Sequence, residues 1–172
     1  MLRLELKILA LPALVAMAAL ATGCASAPSA PTAREPGRVS VEPRTADARL
    51  GGAIAEVALG QVGAQYRYGG TDPTEGFDCS GLVYYAYGQA GYQVPRTSQE
   101  LFRAARKISL DDADPGDLMF FQDQTKLSHV AIYLGDGRFV HAPATGRNVA
   151  VASLDSQYYQ QHLVAVGRLL LH

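Results

Sequence analysis

Cys79 stands in the stretch FDCSGLVYYA, and His129 and His141 stand in SHVAIYLGDGRFVHA, in a chain with two cysteines and four histidines. A lone cysteine can be a small buried hydrophobe, half of a disulfide, a metal ligand or a nucleophile. As a nucleophile it needs a stabilised thiolate, a histidine within hydrogen-bond reach, and a group that orients the histidine. Asp78 is a good N-cap for a helix starting at Cys79, where free N–H groups and the helix dipole favour negative charge. The other histidines read as solvated: His162 lies in the polar run SQYYQQH, and His172 is the terminal residue. One cysteine and two histidines can also ligate zinc. Structural zinc, however, takes four ligands in short-spaced pairs, and the sequence holds neither CxxC nor HxxxH. No metal is expected.

The two histidines flank a predicted hairpin whose loop length decides whether they meet. Side chains alternate faces along a strand, and directly paired residues share a face. A two-residue turn at Asp136-Gly137 would pair His141 with Ile132 and separate the imidazoles. A three-residue loop, Gly135-Asp136-Gly137, pairs His141 with Ala131 and makes the histidines diagonal neighbours about 7–8 Å apart at the backbone. That register also sends Val130, Ile132 and Val140 to the other face, where a core can take them. The expectation is therefore the three-residue loop.

Several elements must hold these residues. Leu50, Ile54, Val57 and Ala58 share one helical face, and that helix stops near Gly60 to Gly63. QYRYGGTDPTEG is a loop. A second helix, Cys79 to about Gln89, turns Leu82, Val83 and Ala86 inward and stops by Gly91. A third begins near Thr97-Ser98, with Arg96, Thr97 and Ser98 read as cap and helix entry. After Pro115-Gly116 the period changes to two, and residues 117–121, 129–134, 138–142, 149–152 and 163–170 read as strands. Asp117 reads as fixing the turn into its strand. Tyr84, Tyr85 and Tyr87 read as packing, and Tyr158 and Tyr159 as candidate rim residues. The class is α+β, with N-terminal helices packed on a small, mostly antiparallel β-sheet.

FDCSGLV and SHVAIYLGDGRFVHA, together with QYRYGG, VPRTSQE and DADPGDLMFF, resemble the NlpC-type family of papain-like cell-wall peptidases. The layout is most similar to the small lipoprotein murein endopeptidases of Gram-negative bacteria. The resemblance implies Cys79 as nucleophile, His129 as general base and then acid, and His141 as the residue orienting His129. It implies Tyr66 as a hydroxyl near the thiolate that helps hold an oxyanion, and Asp78 and Ser80 as substrate contacts. Tyr68 stands where the family commonly has tryptophan. The implied activity is hydrolysis of amide bonds in peptidoglycan stem peptides or their cross-links through a thioester, without a cofactor. Two other readings are a peptidoglycan-binding lipoprotein without turnover and a papain-like lipid amidase or acyltransferase. The intact trio of site residues argues against the first, and the chain order Cys, His, His against the second.

The N-terminal part has another character. A basic start with Arg3 and Lys7, an apolar run from Ile8 to Leu20, and small residues before Cys24 read as a secretory signal too short for a comfortable membrane span. Cys24 after Ala21-Thr22-Gly23 resembles a bacterial lipoprotein signal, which implies lipidation of Cys24. By the same resemblance, Ala25 rather than Asp in the next position implies the periplasmic face of the outer membrane. The expected organisation is a signal peptide over 1–23, a lipidated cysteine and flexible tether over 24–47, and a peptidase domain over 48–172. With Cys24 lipidated, Cys79 has no intramolecular disulfide partner. The net charge of −1 comes with no basic stripe, so nucleic acid is not an expected partner. The expected partners are stem peptides and, through the lipid, a membrane; no adaptor protein is identified.

Overall fold

The computed structural model describes residues 43–123 and 126–170. The signal segment, Cys24, the tether as far as Val41-Glu42, and His172 lie outside the described residues. Helix α1 spans Pro43–Leu59, so it begins five residues before the predicted boundary at Ala48. Proline suits the first helical position, and the tether reading weighed apolar content rather than helix propensity.

A two-stranded antiparallel ribbon, β1 (Thr71–Asp72) and β2 (Gly76–Phe77), leads into α2 (Cys79–Gln89). Helix α2 matches its predicted limits because both ends carry local signals. The Asp78 carboxylate accepts the Gly81 N–H at 2.6 Å, and Gly91 takes a positive φ of 88° just beyond the end. Helix α3 (Ser98–Ala104) is closed by a capping box between Thr97 and Glu100. Strand β3 (Arg106–Ile108) and a 3₁₀ turn at Leu110–Asp112 follow.

The remaining strands are β4 (Leu118–Asp123), β5 (Lys126–Gly135), β6 (Arg138–His141), β7 (Ala150–Ser153) and β8 (Leu163–Arg168). A short helix, α4 (Gln157–His162), precedes β8. The six-stranded sheet runs β3-β8-β4-β5-β6-β7, and every pairing in it is antiparallel. Alternation divides its faces. Leu118, Phe120, Val130, Ile132 and Val140 join Ile54, Leu82, Val83 and Leu101 of the helices in the main core. Met119, Phe121, Ala131, Tyr133 and Phe139 form a second cluster, against which Tyr159 of α4 packs. The N-terminal helices therefore lie on one face, as expected, while α4, not foreseen, lies on the other.

The hairpin corrects the predicted loop. Asp136 and Gly137, with φ of 51° and 70°, form a two-residue turn, and Gly135 pairs with Arg138. Leu134 is then an extra residue, and the ladder resumes with Tyr133 opposite Phe139 and Ile132 opposite Val140. The bulge makes the one-residue shift that a three-residue loop would have made. An Asp-Gly turn with two positive φ values suits the twist of the flanking strands, which accounts for the tighter connection. The consequence argued from register holds by this other route: both histidines face the second cluster.

Asp117 stays structural. Its carboxylate accepts from the Asp114 N–H at 2.8 Å and pairs with Arg168 at 2.6 Å, and burial of Tyr87 places its hydroxyl on the Gly116 carbonyl at 2.9 Å. Tyr85 packs on Phe77, whereas Tyr84 is exposed.

Candidate active site

Cys79 is the first residue of α2, and its position depends on close backbone contact. A Cβ built on Gly81 would stand 1.9 Å from the carbonyl oxygen of Gly70, so the first turn can sit on the loop only with glycine there. The Asp78 N–H donates to that same carbonyl at 3.2 Å. On the other side, the backbone N–H groups of Val130, Ser80 and Cys79 itself favour the ionised sulfur. The thiol thus lies against β5, beside the residue that follows His129. Cys79 is a free cysteine.

The N–H groups at the helix start favour the thiolate, as expected, but they are not the largest influence on the thiol. Burial pushes the Cys79 thiol up, the Asp78 charge adds to this, and the three N–H donors offset only part of it.

Strand β5 carries the first of the two imidazoles. It carries an irregularity against β4 between the pairs Phe121–His129 and Gln122–Leu127, leaving Ser128 as the extra residue just before His129. The His129 Nε2 meets the His141 Nδ1 at 2.8 Å. That contact leaves the Nδ1 of His129 as its free ring nitrogen. His129 is held down to about 3 by burial and then by His141, and His141 to about 4 by burial and then by the Arg147 charge. At neutral pH both rings are uncharged, so together they can carry one shared hydrogen and one free lone pair.

This arrangement predicts a pH dependence of stability. In the unfolded chain both histidines protonate near 6.5, whereas in the fold they stay neutral to about 3 and 4. Between those values the unfolded state binds more protons, so the stability present above 6.5 is lost as pH falls. The expected loss by pH 5 is about 2 kcal/mol per histidine. Urea midpoints at pH 7.5 and 5.0 measure it; equal midpoints would mean that both rings charge freely in the fold.

Tyr66 lies by the thiol. Its hydroxyl is shifted up by burial first and by the charges of Cys79 and Asp78 next. Asp78 and Ser80, implied as substrate contacts, are buried and hydrogen-bonded within the protein. Arg96 reaches both Asp78 oxygens at 2.9 and 2.8 Å and the Ser80 hydroxyl at 3.0 Å. Burial would raise the Asp78 carboxylate, but Arg96 and the N–H groups of Gly81 and Gly69 hold it below its usual value. Arg96 had read as helix entry; only Thr97 and Ser98 serve there. No local spacing could have revealed a partner 18 residues away.

Arg96→Met should therefore leave a buried carboxylate with its cap bonds but no counter-ion. The expected cost is about 1–3 kcal/mol, below that of a fully buried pair because Arg96 is partly exposed. Chemical denaturation measures it, and adding Asp78→Asn should recover part of the loss. A midpoint unchanged by Arg96→Met would contradict this role.

Beyond the histidines runs a cleft of about 550 Å³ lined by Phe121, Ser128, His129, His141, Arg147 and Tyr159 among others. The Tyr159 hydroxyl lies 3.4 Å from the His141 Nε2. The sequence reading left Tyr159 as a candidate rim residue without a partner. Its neighbour Tyr158 stacks on His162, whose Nδ1 faces the Tyr158 carbonyl at 2.6 Å, so His162 stays outside the paired imidazoles. Among the described residues, no group of three or more His, Cys, Asp or Glu could hold a metal ion.

Chemically, the site combines a neutral thiol at a helix start, a paired neutral imidazole with a free nitrogen, and N–H groups aimed at the sulfur. The family model for the NlpC/P60 family matches residues 63–168. The chain is 42% identical over 115 residues to the murein DD-endopeptidase MepH of Escherichia coli, covering 64% of this chain and 42% of that protein. It is 40% identical over 119 residues to the bifunctional muramidase/DL-endopeptidase CwlT of Bacillus subtilis, covering 67% of this chain and 36% of that one. Thus the chain spans about half or less of the length of these curated relatives. Among solved structures, it superposes on the NlpC/p60 domain of the peptidoglycan hydrolase SagA with a TM-score of 0.61 and 36% identity, covering 69% of this chain and 98% of that one. A lipoprotein-like NLP/P60 family protein from Staphylococcus aureus gives a TM-score of 0.65 at 39% identity, with 71% and 42% covered.

Proposed function

The chain belongs to the NlpC/P60 family, and on that premise we propose that it is a peptidoglycan hydrolase, a cysteine endopeptidase that cleaves amide bonds of the stem peptide or its cross-links. The observation that carries this reading is the His129–His141 contact at 2.8 Å, which leaves one imidazole nitrogen free on β5, the strand whose Val130 N–H acts on the Cys79 thiol at the start of α2.

In this reading the Cys79 proton passes to the His129 Nδ1 as the sulfur attacks the amide carbon. Burial keeps the resting pair neutral, so transfer accompanies attack rather than preceding it. The tetrahedral oxyanion is held by the Cys79 N–H, with Tyr66 offering its hydroxyl. His129 then gives its proton to the leaving amine, and the sulfur keeps the acyl group as a thioester. Water, deprotonated by His129, attacks that thioester and releases the carboxylate and free thiol. His141 stabilises the imidazolium by accepting the His129 Nε2–H.

MepH and CwlT are named for endopeptidase activity, and this supports the peptide bond as the target. Anchoring through a lipidated Cys24 on the periplasmic face of the outer membrane belongs to the proposal. It rests on the small residues before Cys24 and on Ala25 after it. Mass analysis of the mature N-terminus tests it: an unlipidated start would remove the anchor.

The test of function is digestion of purified peptidoglycan with the protein, followed by mass analysis of the fragments. New muropeptides cut within the stem or at the cross-link are expected, and their masses identify the bond. Binding to peptidoglycan with no fragment released would favour a docking module instead.

A further inference from the structure

We propose that Tyr159 is a positioning residue that holds His141 through its Nε2 and thereby stabilises the charged form of His129. The inference rests on the reading of Cys79 and His129 as the reacting pair.

The argument is a hydrogen count along one chain of contacts. When His129 has taken the thiol proton, both of its ring nitrogens carry hydrogen. Its Nε2–H donates to the His141 Nδ1, 2.8 Å away. Neutral His141 must then carry its own hydrogen on Nε2. The group facing that nitrogen is the Tyr159 hydroxyl at 3.4 Å, a long contact of the kind that tightens in the charged complex.

The surroundings offer His141 little else. It is 3% exposed, and Phe139 and Tyr159 pack edge-on against its ring at 5.3 and 5.5 Å between centroids. A buried N–H without an acceptor is costly, so losing the hydroxyl disfavours the one tautomer that lets His129 be an imidazolium. A hydroxyl suits this place because its oxygen accepts from the Nε2–H, which His141 carries both at rest, when the His129 Nδ1 is bare, and after the thiol proton has moved. The only bonds that change are the Cys79 S–H, which breaks, and the His129 Nδ1–H, which forms. The charged and titratable groups around the pair are Arg147 from the loop after β6, His129 of β5, Asp123 of β4, and Tyr158 and His162 of α4.

The test uses alkylation of Cys79 by iodoacetamide against pH, which requires no peptidoglycan. Tyr159→Phe should slow alkylation about tenfold at neutral pH and leave the intrinsic rate at high pH unchanged. A role in packing alone would lower the melting temperature without changing the pH profile. In parallel, kcat on peptidoglycan fragments should fall about tenfold with KM within about twofold. Tyr159→Gln keeps an acceptor oxygen and should stay closer to the unaltered protein than Tyr159→Leu does. That comparison also decides the matter should the phenylalanine variant not fold. An unchanged alkylation profile in Tyr159→Phe, or Gln and Leu variants behaving alike, overturns the proposal. His129→Ala separates the two levels: if it too leaves the profile unmoved, the parent reading of the Cys79–His129 pair fails.

Discussion

Cys79→Ala is expected to lower the release of muropeptides by about 10⁴-fold or more while peptidoglycan binding persists. The size follows from the lack of a substitute. Cys79 is the free cysteine among the described residues, and the adjacent hydroxyl is not available. Ser80 donates to Asp78 at 3.2 Å and accepts from Arg96 at 3.0 Å, facing into that buried network. The fold should tolerate the change at a cost of about 1 kcal/mol, because a half-buried thiol at a helix start loses little packing as alanine. Mass analysis of digests at matched protein concentration measures the effect. Activity within tenfold of the unaltered protein would move the nucleophile elsewhere.

The second large effect is expected from His129→Ala, which should lower turnover by about 10⁴-fold. Burial raises the thiol, so without the imidazole the helix N–H groups alone leave the sulfur protonated at neutral pH. The loss falls on two steps, since in the proposed mechanism the same ring protonates the leaving amine. His141→Ala should cost less, about 10–100-fold, because His129 keeps its place on β5 and loses only its hydrogen-bond partner. Both variants are measured by initial rates on purified muropeptides. If His141→Ala proved as active as the unaltered protein, the orienting contact at 2.8 Å would have no part in catalysis.

How far these residues could be read in advance depended on the range of the interaction. Helix α2 and its cap were legible because Asp78 and Gly91 act within a turn of their own positions. The face shared by His129 and His141 was legible because Val130, Ile132 and Val140 needed the opposite one. The device that achieves it was not. A bulge at Leu134 and a longer loop give the same register, and the apolar pattern constrains only their sum. Arg96 meets Asp78 across 18 residues, and Tyr159 meets His141 across another 18, so neither contact leaves a mark in local spacing. The net effect on the thiol was not legible for a different reason. The helix start does supply N–H groups to the sulfur, but the extent of burial is a property of the packed domain and outweighs them. Helix α4 is short and polar, QYYQQH, and shows no apolar stripe until Tyr159 is known to cover the second cluster.

The most direct test of the central claim is to alkylate Cys79 in graded amounts with iodoacetamide, map the label by peptide mass, and follow muropeptide release. Activity should fall in proportion to the fraction of labelled Cys79 and vanish when labelling is complete. Full activity with Cys79 completely labelled would contradict the account.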